Sequence, residues 1–297
     1  MSPVANNQIR LITQALLKPS GADGVYARTG LFEQIIEGLE TFVTRHRELD
    51  TEILRFPPVM SRSHIEKSGY LHSFPHLLGC VSCLQSEESV VHGLVEHPDW
   101  ITALSATELV LSPAACYPLY PLVAARGDLP AKELLYDVAS YCFRREATHE
   151  PGRLQSFRMR EFVCIGTSEQ ALNFRTRWIS RAETMATLLA LPYCIAPASD
   201  PFFGRAGRLA AMNQVQQSLK FELLVPVNCE EQPTACMSFN YHLDHFGTTW
   251  DLRTAQGHTA HTACVAFGLD RLALALFATH GLDLRAWPEP VRKSLLL

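Results

Sequence analysis

The 297-residue sequence predicts an α+β fold, in which an antiparallel β-sheet is flanked by helices and residues 1–297 form one domain. Three observations support this prediction. Apolar residues make up 47% of the chain, which is enough for a large core. Segments with helical periodicity, such as 30–47 and 168–192, occur beside strand-like segments, such as 51–59 and 221–227. These segments lack the regular strand–helix–strand alternation that produces a parallel sheet.

The first predicted helix covers residues 30–47. Leu31, Ile35, Leu39 and Val43 recur at helical spacing, so they share one apolar face, and glutamates occupy the opposite face. This pattern predicts a helix that packs on the sheet.

A short strand follows this helix. It begins at Thr51 and ends at Pro57 and Pro58, because proline cannot donate a ladder hydrogen bond. Another strand-like segment, 109–111, leads to Cys116.

A β-hairpin rich in arginine is predicted next. Residues 142–146 read Cys-Phe-Arg-Arg-Glu, and residues 156–167 form a second β-type segment. The polar stretch between them contains Pro151 and Gly152, which favour a turn. Because a guanidinium can donate two hydrogen bonds to phosphate oxygens, this hairpin could hold a polyphosphate.

The C-terminal part continues the mixed pattern. A helix is predicted over 168–192 and a strand over 221–227. A strand over 263–268 then leads into a buried helix over 269–279. Gly268 and Arg271 stand at the start of that helix, where they too could approach a phosphate.

Charge and hydropathy exclude several classes of protein. The net charge is −4 and no strongly basic segment is present, which disfavours a large tRNA-binding surface. No apolar run reaches the roughly 20 residues that a membrane helix needs. Residues 1–7 lack the layout of a signal peptide, so we expect a cytoplasmic protein.

The cysteines indicate thiol or metal chemistry rather than a disulfide framework. They number nine and are scattered along the chain. Cys80 and Cys83 form a Cys-x-x-Cys pair with no second pair to complete a zinc site, so we expect them in a core turn.

Three of these segments resemble the signature motifs of the class II aminoacyl-tRNA synthetases. Residues 30–58 are similar to motif 1, residues 142–162 to motif 2, and residues 263–274 to motif 3. The resemblance implies the class II catalytic-core fold and ATP-dependent activation of a carboxylate. It also implies a homodimer formed through residues 30–58.

The resemblance assigns the phosphates of ATP to three arginines. Arg144 would stabilise charge on the α-phosphate, Arg158 would contact the distal phosphates, and Arg271 would pair with the γ-phosphate. Mg²⁺ would accompany ATP. Glu230 and Glu231 could help to hold this ion, with a solvated turn as the alternative.

The resemblance assigns the adenine end of ATP to three further residues. Glu146 would accept hydrogen bonds close to the base, and Phe162 would stack under the adenine ring. Gly268 would let the backbone approach the nucleotide.

A zinc site is implied by a narrower resemblance, to the methanogen-type seryl-tRNA synthetases. Cys116, Glu161 and Cys264 stand where those enzymes hold one Zn²⁺ per subunit, with an open position for the substrate amine. His261, three residues before Cys264, is the rival ligand to Glu161. A pair of small buried thiols is the alternative.

The chain from about residue 27 onward resembles still more the small amino acid:[carrier protein] ligases. Motif 1 begins near residue 30 and few residues follow Arg271, so we expect neither a tRNA-binding nor an anticodon domain. The family implies activation of glycine or alanine as an aminoacyl-adenylate. Transfer to the phosphopantetheine thiol of a carrier protein would follow. Ser238 and Asn240 would line the substrate pocket.

Two other functions are possible for a chain with these motifs. Alternatives to the ligase are a catalytically silent paralogue that binds amino acid or nucleotide, and a truncated synthetase that charges tRNA.

A surface that binds the carrier protein is predicted around Trp178, Arg181, Phe202, Phe203, Arg205 and Arg208. The alternative is that these arginines are ordinary solvent-exposed residues without a partner.

Overall fold

The computed structural model of the chain describes residues 3–84, 99–146, 152–228 and 231–297. Their strands are β1 (Leu17–Ala22), β2 (Val25–Arg28), β3 (Glu52–Arg55), β4 (Val59–Ser61), β5 (Cys80–Leu84), β6 (Leu104–Leu111), β7 (Leu134–Phe143), β8 (Ser156–Gly166), β9 (Cys194–Pro197), β10 (Lys220–Val225), β11 (Thr234–Tyr241) and β12 (His261–Gly268). Their α-helices are α1 (Pro3–Leu16), α2 (Gly30–Arg45), α3 (Arg62–Lys67), α4 (Tyr70–Ser73), α5 (Leu119–Ala124), α6 (Ser168–Leu188), α7 (Gly204–Gln216), α8 (His245–Trp250), α9 (Leu269–His280) and α10 (Glu289–Leu295). Short 3-10 helices cover Pro75–Leu77, Trp100–Ala103 and Leu284–Ala286.

Seven strands form the central sheet, in the order β3-β7-β8-β12-β11-β10-β9. Its neighbouring strands run antiparallel, as predicted, except at one edge, where β3 and β7 are parallel. A long stretch of chain separates β3 from β7, so no tight hairpin forces that pair to be antiparallel. The α+β prediction is therefore confirmed.

Helices cover one face of this sheet. The predicted helix over 30–47 is observed as α2, and Ile35, Leu39 and Val43 on its apolar stripe are buried. Trp178 of α6 and Phe277 of α9 extend the same core. None of the helices within the described ranges is long and apolar enough to cross a lipid bilayer.

The β7–β8 hairpin decides which side chains can reach a ligand. Its two strands pair from Leu134 opposite Ile165 to Phe143 opposite Ser156, so the predicted arginine-rich hairpin is present. Successive side chains on a strand point to opposite faces of the sheet. On β8, Phe162 therefore packs on the helix face, whereas Glu161 lies on the opposite face.

A second, three-stranded sheet has the order β4-β6-β5 and carries the Cys-x-x-Cys pair. The prediction that Cys80 and Cys83 lie in a core turn is wrong. Both are exposed on β5, where the backbone is held by pairing with β6. Pairing with a neighbouring strand fixed this segment as a strand, and sequence spacing does not reveal such pairing.

Candidate functional site

A cavity of about 550 Å³ opens on the face of the sheet opposite the main helices. Strands β8, β11 and β12 form its floor, and the inner side of α7 forms part of its wall. Residues 68–74 and 113–117 close it on another side. Most of the residues that the sequence singled out as functional line this cavity.

Arg144 and Arg271 face the cavity from two different elements. Arg144 follows the end of β7, and its Nε donates to the carbonyl oxygen of Pro113 at 2.9 Å. Arg271 lies in the first turn of α9, and its Nε donates to the carbonyl oxygen of Gly152 at 2.8 Å. Its Nη1 donates to the carbonyl oxygen of Ala235 at 3.1 Å. Motifs 2 and 3 thus meet in space, as the sequence predicted.

Neither of these guanidinium groups forms a salt bridge with a carboxylate within the described residues. Burial would lower the pKa of Arg144, but nearby acidic groups, Glu146 and Asp200 among them, raise it. Burial lowers the pKa of Arg271, and the positive charge of Arg144 lowers it further. Arg144 and Arg271 are partly buried and close enough for their charges to repel each other, so an anion bound between them would be favourable. The cavity can therefore hold an anionic ligand.

Phe157 lines the cavity beside Arg144. The guanidinium carbon of Arg144 lies 5.6 Å from the centre of its ring. Phe162, which was expected to stack under adenine, does not line the cavity. It packs against Trp178 and Phe267 in the core, with ring centres 4.8 and 5.4 Å away. The structure therefore does not support the stacking role of Phe162, and Phe157 is the ring in position for it.

We predict that Phe157→Leu raises the KM for ATP about 10-fold, because stacking of a base on an aromatic ring contributes roughly 1–3 kcal/mol. Steady-state kinetics of the ATP-dependent reaction measure this change. Phe162→Leu is the matched control. It should lower the free energy of unfolding by about 1 kcal/mol, because it leaves a small core void, with an unchanged KM for ATP. A raised KM for ATP in Phe162→Leu, with an unchanged KM in Phe157→Leu, would instead assign the stacking role to Phe162.

Arg158 borders the cavity but is engaged in a buried ionic network. Its Nη1 and Nη2 donate to the carboxylate of Glu33 at 2.5 and 3.0 Å, and Nη2 also reaches Asp270 Oδ1 at 3.2 Å. Asp270 accepts a further bond from Arg28 Nε at 2.6 Å. A distal phosphate would have to displace these carboxylates, so the structure does not support the predicted phosphate contact. Arg158 instead links α2, β8 and α9.

The two other predicted nucleotide contacts lie at the cavity. Glu146 lines it and accepts from Arg153 Nη1 at 3.1 Å. Gly268 also lines it, with an ordinary negative φ of −77°, so its backbone conformation does not require glycine. The part of the predicted loop from Ala147 to Pro151 lies outside the described residues, as does Glu230; Glu231 is exposed.

Cys116, Glu161 and Cys264 meet deeper in the cavity. All three are buried, with exposed fractions of 5%, 1% and 3%. Glu161 Oε1 accepts from the backbone N–H groups of Ala115 and Cys116 at 2.8 and 3.1 Å. Three elements that are distant in sequence supply this set, namely the segment before α5, β8 and β12. Their convergence was predicted from the resemblance alone.

Cys116, Glu161 and Cys264 are acidic groups that lie close together, so they shift one another's pKa. A hydrogen bond from the Cys116 thiol lowers the pKa of Cys264 well below its usual value. The same hydrogen bond raises the pKa of Cys116. Burial, and then the negative charge of Cys264, raise the pKa of Glu161 to about 8. A cation placed among the three groups would relieve this crowding.

The donor chemistry of two sulfurs and one carboxylate suits Zn²⁺. Among the described residues, however, no group of three or more His, Cys, Asp or Glu side chains is already arranged to hold a metal ion. Binding would therefore require small side-chain rotations. The residues fit the ion by their chemistry and burial rather than by a preformed geometry.

Neighbouring polar groups surround Cys264. Asn240 Nδ2 donates to Cys264 Sγ at 3.3 Å and to Ser238 Oγ at 3.2 Å, so both predicted pocket residues lie in the cavity. His242 Nε2 lies 3.7 Å from the same sulfur. His261, the rival metal ligand, points to the other face of β12 and hydrogen-bonds Tyr241, which removes it from the set.

The predicted carrier-binding residues divide into two groups. Arg205 and Arg208 are exposed on α7, and Phe203 is exposed immediately before that helix. Trp178 is buried in the core, with Arg181 stacked on its ring at 4.6 Å. That pair belongs to α6, on the helix-covered face of the sheet, so its inclusion in the docking surface was wrong.

Two functional candidates were missed by sequence reasoning, and strand alternation could have found one of them. Once Glu161 is placed in the amino-acid pocket, Phe157 must share its face and Phe162 must lie on the other. The other candidate is His242. Its place beside Cys264 follows from the β11–β12 pairing, which sequence spacing does not reveal.

Comparison with known proteins places this cavity in context. No family model matches the chain. It is 58% identical over 288 residues to amino acid–[acyl-carrier-protein] ligase 1 of Bradyrhizobium diazoefficiens, covering 96% of this chain and 88% of that protein. It is 55% identical to ligase 2 of the same organism over 288 residues, covering 96% and 86%.

A solved structure shows the same architecture. The crystal structure of Methanopyrus kandleri seryl-tRNA synthetase in complex with an Aquifex aeolicus tRNA superimposes with a TM-score of 0.83 at 21% identity. The match covers 98% of this chain and 60% of that one. At this identity the match establishes the fold, which is that of a class II aminoacyl-tRNA synthetase catalytic core.

Proposed function

The chain belongs to the family of amino acid–[acyl-carrier-protein] ligases, and on this basis we propose that it uses ATP to activate glycine or alanine and transfers the aminoacyl group to the phosphopantetheine thiol of a carrier protein. It is thus a ligase, and a catalytically silent paralogue is set aside. The observation that carries the proposal is the pair of cavity-facing arginines, Arg144 and Arg271, which form no salt bridge within the described residues. They face one cavity with Phe157 and the thiol–carboxylate set.

In the first step, a carboxylate oxygen of the amino acid attacks the α-phosphorus of ATP. The new P–O bond forms as the bond to pyrophosphate breaks, and negative charge grows on the phosphate oxygens. Arg144 stabilises that charge, and Arg271 holds the distal phosphates. Phe157 stacks on the adenine, and Glu146 lies near the base. Hydrogen bonds between Arg158 and Asp270 hold β8 and α9 in a fixed relative position.

We propose one Zn²⁺ per subunit on Cys116, Glu161 and Cys264. Such an ion would bind the uncharged amino group of the substrate and so select amino acids over hydroxy acids. The support is the convergence of two buried thiols and a buried carboxylate, whose Oε1 accepts hydrogen bonds from the backbone of the Cys116 segment. Mg²⁺ is proposed to accompany ATP.

A small substrate side chain is favoured by the aromatic wall beside this set. Tyr120 stacks on Phe246 with ring centres 3.9 Å apart, and Tyr117 packs edge-on to Phe246 at 5.7 Å. Tyr120 and Phe246 belong to the same core cluster as Cys116, and we propose that this packed wall limits the length of the substrate side chain. Ser238 and Asn240 would contact the substrate from the opposite side.

In the second step, the thiol sulfur of the carrier attacks the carbonyl carbon of the adenylate. A C–S bond forms, the C–O bond to AMP breaks, and the thiol proton is released. The carrier is proposed to dock on the outer face of α7, which combines Arg205 and Arg208 with exposed Leu209 and Met212. A basic and apolar helix suits an acidic carrier protein, and the inner face of α7 lines the cavity that the phosphopantetheine arm must enter.

The double variant Arg205→Glu, Arg208→Glu is expected to raise the KM for the carrier about 10-fold or more, because like charges would then face each other. ATP–pyrophosphate exchange, which needs no carrier, should not change. Arg285→Glu, an exposed charge reversal far along the chain, is the control. Unchanged carrier kinetics in the double variant would remove α7 from the docking surface.

We propose a homodimer because the edge of the central sheet at β3 exposes apolar side chains. Among the described residues, strand β3 is an edge strand of the central sheet, and Ile53 on it and Leu49 shortly before it are 49% and 89% exposed. Light scattering of the purified protein tests this proposal.

The function itself is tested by two assays on zinc-loaded protein. ATP–pyrophosphate exchange with each amino acid in turn identifies the activated substrate. Mass spectrometry of a carrier, with and without its phosphopantetheine group, then detects the thioester. Exchange without thioester formation, together with charging of bulk tRNA, would instead support the truncated synthetase. Absence of exchange with every amino acid would contradict the proposal.

A further inference from the structure

A buried lysine holds an ionic cluster at the end of the cavity next to α7. Lys220, the first residue of β10, is only 7% exposed. Its Nζ donates to Asp200 Oδ1 at 2.6 Å and to Glu222 Oε1 at 3.0 Å. Burial alone would lower the pKa of Lys220, but the charges of Asp200 and Glu222 outweigh that effect and raise it. The lysine is therefore a cation shared by two carboxylates.

The cluster also connects β10 to α7 and to the segment before it. The backbone N–H of Asp200 donates to Gln214 Oε1 at 2.7 Å, and Gln214 Nε2 donates back to Asp200 Oδ2 at 2.8 Å. Gln214 lies in the last turns of α7. The N–H of Ala198 donates to the carbonyl oxygen of Lys220 at 3.1 Å. One network thus ties the segment before α7, the C-terminal part of α7 and the edge of the sheet.

The N-terminal end of α7 is fixed by other contacts. Phe202 stacks on Phe74 with ring centres 5.0 Å apart, and the N–H of Phe203 donates to the carbonyl oxygen of Ser73 at 2.8 Å. Gly207 packs so closely that an added Cβ would lie 2.6 Å from the carbonyl carbon of Phe202. Both ends of α7 are therefore held, with its inner face on the cavity and its outer face in solvent.

A buried lysine between two acids is a poor way to gain stability, because apolar side chains of similar volume often stabilise as well or better. What it provides is a defined geometry. We infer that Lys220 is a positioning residue for thiol transfer, which fixes α7 so that the arm of a docked carrier is aimed into the cavity. The inference rests on the proposed function. Lys220 would then affect the second step of the reaction and leave the first step intact.

The test measures both half-reactions in Lys220→Met, which keeps the length and removes the charge. Exchange of ATP with pyrophosphate should stay within about twofold of wild type, whereas kcat for thioester formation should fall about 10-fold or more, because a small displacement of the incoming group is costly. The KM for the carrier should change less than kcat, since the outer face of α7 is unaltered. Lys220→Arg, which keeps a cation between the carboxylates, should restore most of the rate.

A second variant covers the case in which Lys220→Met does not fold. Gln214→Met cuts the link between α7 and Asp200 without leaving a buried charge unpaired, and it should show the same split between the two half-reactions. Equal loss of exchange and transfer in the folded variants, or unchanged transfer, would overturn the inference. Failure of exchange in the wild-type enzyme would instead contradict the proposed function, so the two failures are distinguishable.

Discussion

Replacing Arg144 with alanine is expected to lower the rate of ATP–pyrophosphate exchange about 10³-fold, because a positioned arginine at a transferring phosphoryl group contributes roughly that much. The guanidinium of Arg144 faces the cavity 5.6 Å from the centre of the Phe157 ring, and it forms no salt bridge with a carboxylate among the described residues. Its charge is thus available to the α-phosphate. The loss should fall mainly on kcat, since the charge that it stabilises develops in the transition state.

Arg145→Ala is the matched control for this prediction. Arg145 is the next residue in the chain, but its side chain is exposed and does not line the cavity. It should retain exchange within about twofold of wild type. Arg144→Lys should recover little activity, because lysine cannot donate the paired hydrogen bonds of a guanidinium. Equal losses in the Arg144→Ala and Arg145→Ala variants would indicate a general effect of charge rather than a specific contact.

Cys264→Ser is expected to lower zinc affinity by at least about 100-fold and to abolish amino acid-dependent exchange. The pKa of Cys264 is lowered by the hydrogen bond from the Cys116 thiol, whereas serine does not supply a comparable anionic ligand at neutral pH. Zinc content of the purified enzyme is measured directly, independently of activity. Wild type should hold about one ion per chain.

The control for that variant is Cys80→Ser, which alters an exposed thiol on the separate three-stranded sheet. It should keep both the zinc and the exchange activity. Removal of zinc from wild type by a chelator should reproduce the activity loss of Cys264→Ser, and added zinc should restore wild type only. A wild-type enzyme that is fully active without zinc would refute the metal proposal, whatever the variant does.

The periodicity of the sequence was sufficient to predict the secondary structure near the site. The apolar stripe of α2, the two strands of the arginine hairpin and the buried helix α9 all follow from spacing, since side-chain period reflects backbone geometry. Arg144 and Arg271 were identified by the resemblance of their segments to motifs 2 and 3. Each stands at the end or the start of a regular element, where its side chain is free to reach a ligand.

The tertiary structure decided which face of each element meets the cavity. Phe157 and Phe162 lie on one strand, as do His261 and Cys264 on another, and only the packing of helices on one side of the sheet separates the ligand-facing residue from the core residue. The predicted phosphate contact of Arg158 failed for a related reason, because its partners Glu33 and Asp270 come from distant parts of the chain. The Lys220 cluster left no pattern at all in the sequence.

The sequence by itself therefore determined the elements, the family and the kinds of side chain available for chemistry. The fold alone decided which charges stay unpaired. Local spacing encodes periodicity along one element, whereas neutralisation of a charge depends on contacts between elements that the sequence does not order. Arg144 and Arg158 illustrate this difference, because they belong to the same hairpin and only one of them is paired with carboxylates.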